Sequence, residues 1–373
     1  MISKNINKIS KEKSILIVPL DWGLGHATRC IPLIKEFQAI GCNVIIAAEG
    51  AVKSLLENEF QQVIIIPCPQ YRITYTKEKH WLALKILSQA PKILLAIYKE
   101  HMWVKKIVKK YSIDAVVSDN RFGLYQPGVP SVYITHQLLI KTGNYISEKI
   151  LQKIHFGFIK KYTACWIPDF ETTENIAGKL SHPAIPPINI GYIGGLSRFN
   201  KKEWAKNKYD LLIIISGPEP QRTIFEKILL HQLQQYNGKA LLIRGLPGCK
   251  ETKEKTTPAT TTNLELSIKN HLSAEHMTDA IESATMVISR SGYTTVMDLI
   301  KLKQKAILVP TPGQTEQEYL ASYLMEQHFF YTTSQDGFLL SEALKNANDF
   351  NFIIPSFDME QYKKVVKDFV QSL

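Results

Sequence analysis

Short apolar runs rich in β-branched residues alternate with helical periods twice along this chain of 373 residues, and that alternation leaves few folds open. Ser14-Ile15-Leu16-Ile17-Val18-Pro19-Leu20, Val44 to Ala48 and Val63 to Pro67 have the length and composition of strands buried on both faces. Between them, Ile31, Leu33, Ile34 and Phe37 recur at helical spacing up to Gly41, and Ala51 to Leu56 gives a second helix. Further strands are expected at Ile113 to Ser118, Ser131 to Ile134 and Cys165 to Ile167. Strands of this kind joined by helices build a parallel, doubly wound α/β sheet.

Pro183 to Ser197 collects prolines and glycines and marks the domain boundary. A second alternation follows, with strands at Asp210 to Ile215, Ala240 to Arg244, Leu264 to Ile268, Met286 to Ile288 and Ala306 to Pro310. Helices are expected at Gln221 to Tyr236, His276 to Ser283, Gln317 to Glu326 and Met359 to Val370, with a loop at Lys250 to Thr262. The expected organisation is an N-terminal Rossmann-like domain over 1–190, a linker over 191–207 and a C-terminal domain over 208–356. A last helix, 357–373, is expected to pack back on the first domain.

Composition bounds the function classes. Hydrophobic residues at 45% and charged residues at 21% describe an ordinary globular protein. No run approaches the roughly 18 apolar residues needed to span a bilayer, and residues 1–14 carry no signal-peptide pattern. Five scattered cysteines without a CxxC pair indicate neither a zinc site nor a disulfide framework, which fits a reducing cytoplasm. The net charge of +11 points to an anionic partner. No RNA-binding or helix-turn-helix pattern directs that charge to nucleic acid. From His80 to Lys110 a helical, aromatic face (Trp81, Leu94, Leu95, Tyr98, Trp103) is decorated with lysines, and Pro91 is expected to break the helix. Its simpler reading is a core-packing helix pair with solvated lysines; the alternative is a face resting on anionic lipid, extended by Ile150 to Tyr162.

Polar residues gather where strands end, and in open α/β sheets ligands bind there. Gly23-Leu24-Gly25-His26 follows the first strand, Asp119 ends the fourth, and His136-Gln137 follow the fifth. Ser289-Arg290-Ser291-Gly292 lies between a strand and a helix start, where free backbone N–H groups bind anions. Asp298 follows Arg290 by eight residues, about two helical turns. The incomplete glycine fingerprint makes a dinucleotide-dependent oxidoreductase the last choice.

Gly23-Leu24-Gly25-His26, Ser289-Arg290-Ser291-Gly292 and Asp298 together resemble the MurG-type glycosyltransferases, family 28 of the GT-B fold. The resemblance implies two Rossmann-like domains facing a central cleft, a UDP-sugar held by the second domain, and inverting transfer to an acceptor on the first. It implies that Asp298 grips the ribose, one methylene shorter than the usual glutamate, and that Gln317 contacts the sugar. Ser216 and Gly217 occupy the place of the donor-phosphate loop, here modified by Pro218 and Pro220, with Arg290, Ser291 and Gly292 beside the phosphates. The loop near His271 and Leu272 is where such enzymes read the base. His26 is the expected base, oriented by Asp119, with Gly23, Gly25, His136 and Gln137 on the acceptor side. No DxD-type acidic pair stands out, so the expectation is metal-free transfer, with no cofactor beyond the UDP-sugar co-substrate, from UDP-N-acetylglucosamine or a related donor to a lipid-linked or cell-envelope glycan. The expected place is the cytoplasm, peripheral to the inner face of the membrane. The alternatives are a UDP-sugar 2-epimerase of the same fold and a non-enzymatic basic binding protein.

Overall fold

A computed structural model describes residues 12–71, 89–142, 144–201, 208–247 and 263–373. The helical piece expected before Pro91 and the loop expected at Lys250 to Thr262 lie outside the described residues.

The apolar runs form two parallel sheets. The first contains β1 (Ser14–Val18), β2 (Asn43–Ala47), β3 (Ile64–Ile66), β4 (Ala115–Asp119), β5 (Ser131–Ile134), β6 (Ala164–Ile167) and β7 (Ile190–Tyr192), in the order β3-β2-β1-β4-β5-β6-β7. Leu16 lies beside Ile45 on one side and Val116 on the other. Ile15, Leu16 and Ile17 are fully buried, each contributing roughly 1.5–3 kcal/mol of hydrophobic stabilisation. Helices α1 (Leu24–Ala39), α2 (Gly50–Glu59), α3 (Ala90–Tyr111) and α4 (Tyr145–Ile159) complete this unit. The edge strand β7 lies inside the Pro/Gly-rich stretch read as boundary, pairing Ile190 with Cys165.

The second sheet contains β8 (Tyr209–Ile214), β9 (Gly238–Ile243), β10 (Leu264–Lys269), β11 (Ala284–Ser289), β12 (Ala306–Leu308) and β13 (Tyr331–Thr332) in the order β10-β9-β8-β11-β12-β13. Its helices are α5 (Gln221–Leu233), α6 (Ala274–Glu282), α7 (Tyr293–Leu302), α8 (Thr315–Glu326) and α9 (Leu340–Asp349). Strand β13 and helix α9 were absent from the sequence expectation. A final helix, α10 (Gln361–Gln371), returns to the first unit, where Tyr362 and Val366 join the core around α1.

Helix α3 begins at Ala90 with Pro91 in its first turn, where a missing N–H removes no helical bond. Its buried stripe is Ala96, Ile97, Glu100 and Val104. Leu94, Leu95, Tyr98 and Met102 face outward, with Tyr98 62% exposed, while Trp103 packs against the core beside Val104.

Candidate active site

Each sheet reverses its winding at one place, β1/β4 in the first and β8/β11 in the second, and the crevice there lies outside the strand ends. In the first sheet the chain leaving β1 turns through Gly23 into α1, which places His26 in the first helical turn. Strand β4 ends at Asp119, fully buried. His26 Nδ1 lies 2.9 Å from Asp119 Oδ2. Arg29, one turn along α1, donates from Nε to Asp119 Oδ1 at 2.8 Å, and its Nη2 bonds the same oxygen. Arg29 Nη1 also lies 3.0 Å from His136 Nδ1, and Nη2 lies 2.9 Å from His26 Nδ1.

The tautomers follow from who can donate. A guanidinium only donates, so His136 Nδ1 carries no hydrogen and its Nε2–H donates to Glu316 Oε1 at 2.7 Å. His26 Nδ1 has two claimants. If it accepted from Arg29, the buried Asp119 Oδ2 would face a lone pair at 2.9 Å, a loss of roughly 1–3 kcal/mol. Donation from Nδ1–H to Asp119 avoids this and leaves His26 Nε2 with its lone pair free. Burial lowers the His26 pKa, Arg29 lowers it further, and Asp119 offsets part of the effect. Burial would raise Asp119, but the charges of Arg29 and His26 outweigh it and hold the carboxylate below its ordinary range. The imidazole is therefore neutral, with its Nε2 lone pair available, at a site where the carboxylate is ionised.

In the second sheet the loops after β8, β11, β12 and β13 meet around Arg290. Its guanidinium is fully buried and donates to the carbonyls of Val309, Pro310 and Gln221, each at 3.2 Å, and to Gln335 Oε1 at 2.6 Å. It also covers the Phe225 ring at 4.1 Å. Burial without a carboxylate partner pushes its pKa down to about 10. Arg290 thus ties four loops together, and its side chain points into them rather than into the cleft. Ser291 Oγ donates to the Gln317 carbonyl at 2.9 Å, and Gln317 Oε1 accepts from Thr311 N at 2.9 Å. Thr311 also borders Gly217, whose φ of +105° suits glycine. Helix α7 starts after Gly292 with no side-chain cap, and a Cβ added at Gly292 would meet nothing within 4 Å. Its first N–H groups are open to an anion.

Asp298 faces the segment entering from the first domain. It is 8% exposed, and its Oδ1 accepts from Ser197 Oγ at 2.6 Å. Burial raises its pKa to about 7, against the opposing pull of Arg198 and the Ser197 hydroxyl. Arg198 is half-buried, and its Nε has no hydrogen-bond partner among the described residues. Burial lowers its pKa, partly countered by Asp298. His271, in the loop after β10, is lowered first by burial and then by the charge of Arg198.

The two halves touch across the cleft. Thr294 Oγ1 donates to the Gly25 carbonyl at 3.2 Å, Tyr293 bonds the Pro168 carbonyl, and the Tyr293 and His136 rings stack at 3.9 Å. Thr315 Oγ1 donates to the Lys141 carbonyl at 2.7 Å. A methyl at Gly25 would sit 3.1 Å from Thr294 Oγ1, whereas one at Gly23 would meet nothing within 4 Å. The structure therefore brings His26, Asp119 and His136 to the N-terminus of α7. Ser291 is fully buried against Gln317, Gly217 borders Thr311 after half-buried Ser216, and half-buried Gln137 lies beside His136. Sequence reasoning missed Arg29, Arg198, Tyr293 and Glu316. Arg29 alone left a signal, since it lies one turn from His26 on the same helix face. Among the described residues no cluster of three or more His, Cys, Asp or Glu side chains is arranged to hold a metal ion.

Two Rossmann-like sheets whose switch points face one cleft define the GT-B class of glycosyltransferases, and solved structures agree in fold. MurG from Acinetobacter baumannii superposes with a TM-score of 0.57 at 14% identity, over 97% of this chain and 100% of its own. A spinosyn rhamnosyltransferase, SpnG, complexed with thymidine diphosphate gives 0.59 at 10% identity, over 96% of this chain and 95% of its own. Residues 212–351 match the profile of the glycosyltransferase family 28 C-terminal domain. An uncharacterized glycosyltransferase of Methanosarcina mazei is 22% identical over 351 residues, covering 84% of both chains. A UDP-N-acetylglucosamine--N-acetylmuramyl-(pentapeptide) pyrophosphoryl-undecaprenol N-acetylglucosamine transferase of Clostridium perfringens is 23% identical over 300 residues, covering 77% of this chain and 75% of its own. The fold, the relatives and the match over residues 212–351 together support a MurG-like GT-B glycosyltransferase.

Proposed function

We propose that this glycosyltransferase moves a hexosyl group, N-acetylglucosaminyl in the first instance, from a UDP-sugar to a lipid-linked glycan by inverting displacement. The observation that carries this reading is the His26–Asp119 pair, 2.9 Å apart, set against the open N-terminus of α7. His26 Nε2 takes the proton of the acceptor hydroxyl as its oxygen bonds the anomeric carbon. The bond from that carbon to the β-phosphate oxygen breaks on the opposite face, and UDP leaves with the electron pair. Asp119 stabilises the imidazolium so formed. The charge developing on the diphosphate is met by the N–H groups of α7, by Ser216, Gly217, Ser291 and Gly292, and by Arg198. Arg290 acts by bracing these loops. Asp298 accepts from the ribose hydroxyls, Gln317 orients the sugar, and the loop at His271 and Leu272 reads the base. Gly23, Gly25, His136 and Gln137 form the acceptor side. The mechanism so written requires no metal.

The acceptor side adjoins an apolar and basic face. Leu94, Tyr98 and Met102 on α3, and Ile146, Ile150 and Ile154 on α4, each repeat every four residues and are exposed. Lys92, Lys99, Lys106, Lys149 and Lys153 lie exposed among them. Beneath, Ile93 and Ile97 of α3 share a cluster with Phe158 of α4. This pattern suits an anionic membrane surface holding a lipid-linked acceptor. Among the described residues no helix is long and apolar enough to cross a membrane.

Thermal-shift titration with UDP, GDP, TDP and their sugars tests the donor assignment. UDP should raise the melting temperature, Asp298→Ala should abolish the rise, and His26→Ala should keep it while turnover falls by roughly 10²–10⁴. Retained turnover in His26→Ala sinks the base assignment, and consumption of UDP-sugar without acceptor favours an epimerase.

A further inference from the structure

Five side chains form one hydrogen-bonded line from the C-terminal domain to His26: Glu316, His136, Arg29, Asp119 and His26. Only the first belongs to the second domain. Glu316 stands in the first turn of α8, and its carboxylate is ionised: burial would raise its pKa, but His136 and Arg29 pull it below its ordinary range. Tyr293, also from the second domain, fixes the plane of the His136 ring by stacking at an interplanar angle of 5°.

We infer that this line makes the His26 base competent only when the two domains meet, with Glu316 and His136 as positioning residues for the reaction proposed above. By accepting from His136 Nε2–H, Glu316 selects the tautomer whose Nδ1 accepts from Arg29. Arg29 Nη1 is then occupied, and the guanidinium lies along Asp119 Oδ1. Asp119 Oδ2 stays free to accept Nδ1–H from His26, which leaves His26 Nε2 unprotonated. When the domains part, Glu316 and the Tyr293 ring withdraw together, and the His136 ring can turn its Nδ1 away from Arg29. Arg29 Nη1 then lacks its acceptor, and the guanidinium can pivot toward His26, whose Nδ1 already lies 2.9 Å from Nη2. Donation to that nitrogen moves the His26 hydrogen to Nε2, and the imidazole loses the lone pair that would take the acceptor proton. An open cleft thus holds an idle base, which discourages transfer to water before the acceptor is seated.

The decisive experiment reads the tautomers directly in the full-length protein labelled with ¹⁵N-histidine, using long-range ¹H–¹⁵N correlation. The unaltered protein should show His26 protonated at Nδ1 and His136 at Nε2. Glu316→Ala should shift His26 toward the Nε2–H form, and Glu316→Gln, whose amide oxygen still accepts, should restore Nδ1–H. His136→Asn, whose amide oxygen replaces the Nδ1 acceptor, should keep the His26 tautomer better than His136→Gln, which reaches only toward Glu316. With donor and acceptor present, Glu316→Ala should lower kcat roughly ten- to hundredfold with the donor KM unchanged. A His26 tautomer unmoved by Glu316→Ala overturns the inference, as does a His136→Gln variant that keeps it as well as His136→Asn. The spectra need no substrate, so failure of the donor assignment leaves them decisive. Glu316 lies at a partly exposed helix end, and a simple loss of fold would appear in the melting temperature.

Discussion

Asp298 shows how a single buried carboxyl ties stability to pH. Free aspartate ionises near pH 4, but burial raises Asp298 to about 7, and Arg198 and Ser197 recover only part of the lost solvation. A group whose pKa is raised by folding contributes stability that is fully present below its unfolded value and is lost as pH rises through its folded value. The ligand-free protein should therefore become less stable between about pH 4 and about pH 7, by at most roughly 4 kcal/mol from this group. Asp298→Asn removes the ionisation and keeps the shape. Its melting temperature should match the parent below about pH 4 and exceed it by a margin that grows up to about pH 7, while UDP no longer shifts it. Parallel melting curves across pH for parent and variant would rule out the buried carboxyl as the source. Arg290 follows a related logic with the opposite charge: its two terminal nitrogens donate to three carbonyls and one amide oxygen, while its buried Nε has no partner among the described residues, so it serves by fixing loops.

Elements were legible where burial and period agree, and obscure where a short strand depends on its neighbours. The β-branched runs of β1, β2, β4 and β8 read plainly because both faces are buried. Strand β7 sits among prolines and glycines, and β13 has two residues, so neither carries a period of its own. The placement of His26, Asp119, Ser216 and Arg290 at strand ends was legible, because a doubly wound sheet sends its strand ends to one edge. Glu316 was not, since its partner His136 is 180 residues away and nothing local marks the pair. For helices α3 and α4 the sequence left the lipid-facing reading open beside the core-packing one, because an apolar stripe looks the same in sequence whether it faces core or lipid. Their exposed stripes lead to an element-scale test. The protein should sediment with anionic phospholipid vesicles and less with zwitterionic ones, and added salt should release part of it as the lysine contribution is screened. Ile150→Glu, at a site 55% exposed, should cut the partition at least roughly tenfold without altering the melting temperature or the UDP shift. Equal recovery of parent and variant on anionic vesicles would leave α4 without this role.

At the scale of the whole molecule, the chain crosses between its two sheets twice. It passes from β7 through the linker to β8, and returns after α9 so that α10 packs on the first sheet's helices. Phe369 meets Trp166 edge-on at 5.3 Å, Val366 is fully buried in the core around α1, and Lys13 Nζ donates to the Leu373 carbonyl at 2.8 Å. Lys301 of α7 bonds Glu360 just before α10, so one short segment touches both units. Loss of this return should weaken the first unit and uncouple it from the second. Val366→Asp buries a charge without a partner, at several kcal/mol. Of the five tryptophans, Trp22, Trp81, Trp103 and Trp166 fall in the first unit's sequence and Trp204 in the linker, so tryptophan fluorescence reports mainly on the first unit, while far-ultraviolet circular dichroism reports on both. In urea the parent's two signals should change together. In Val366→Asp the fluorescence transition should move to lower urea and the dichroism curve should divide into two steps. Coincident curves in the variant would mean that the domain contacts at His136–Glu316, Gly25–Thr294 and Pro168–Tyr293 suffice to couple the units without α10.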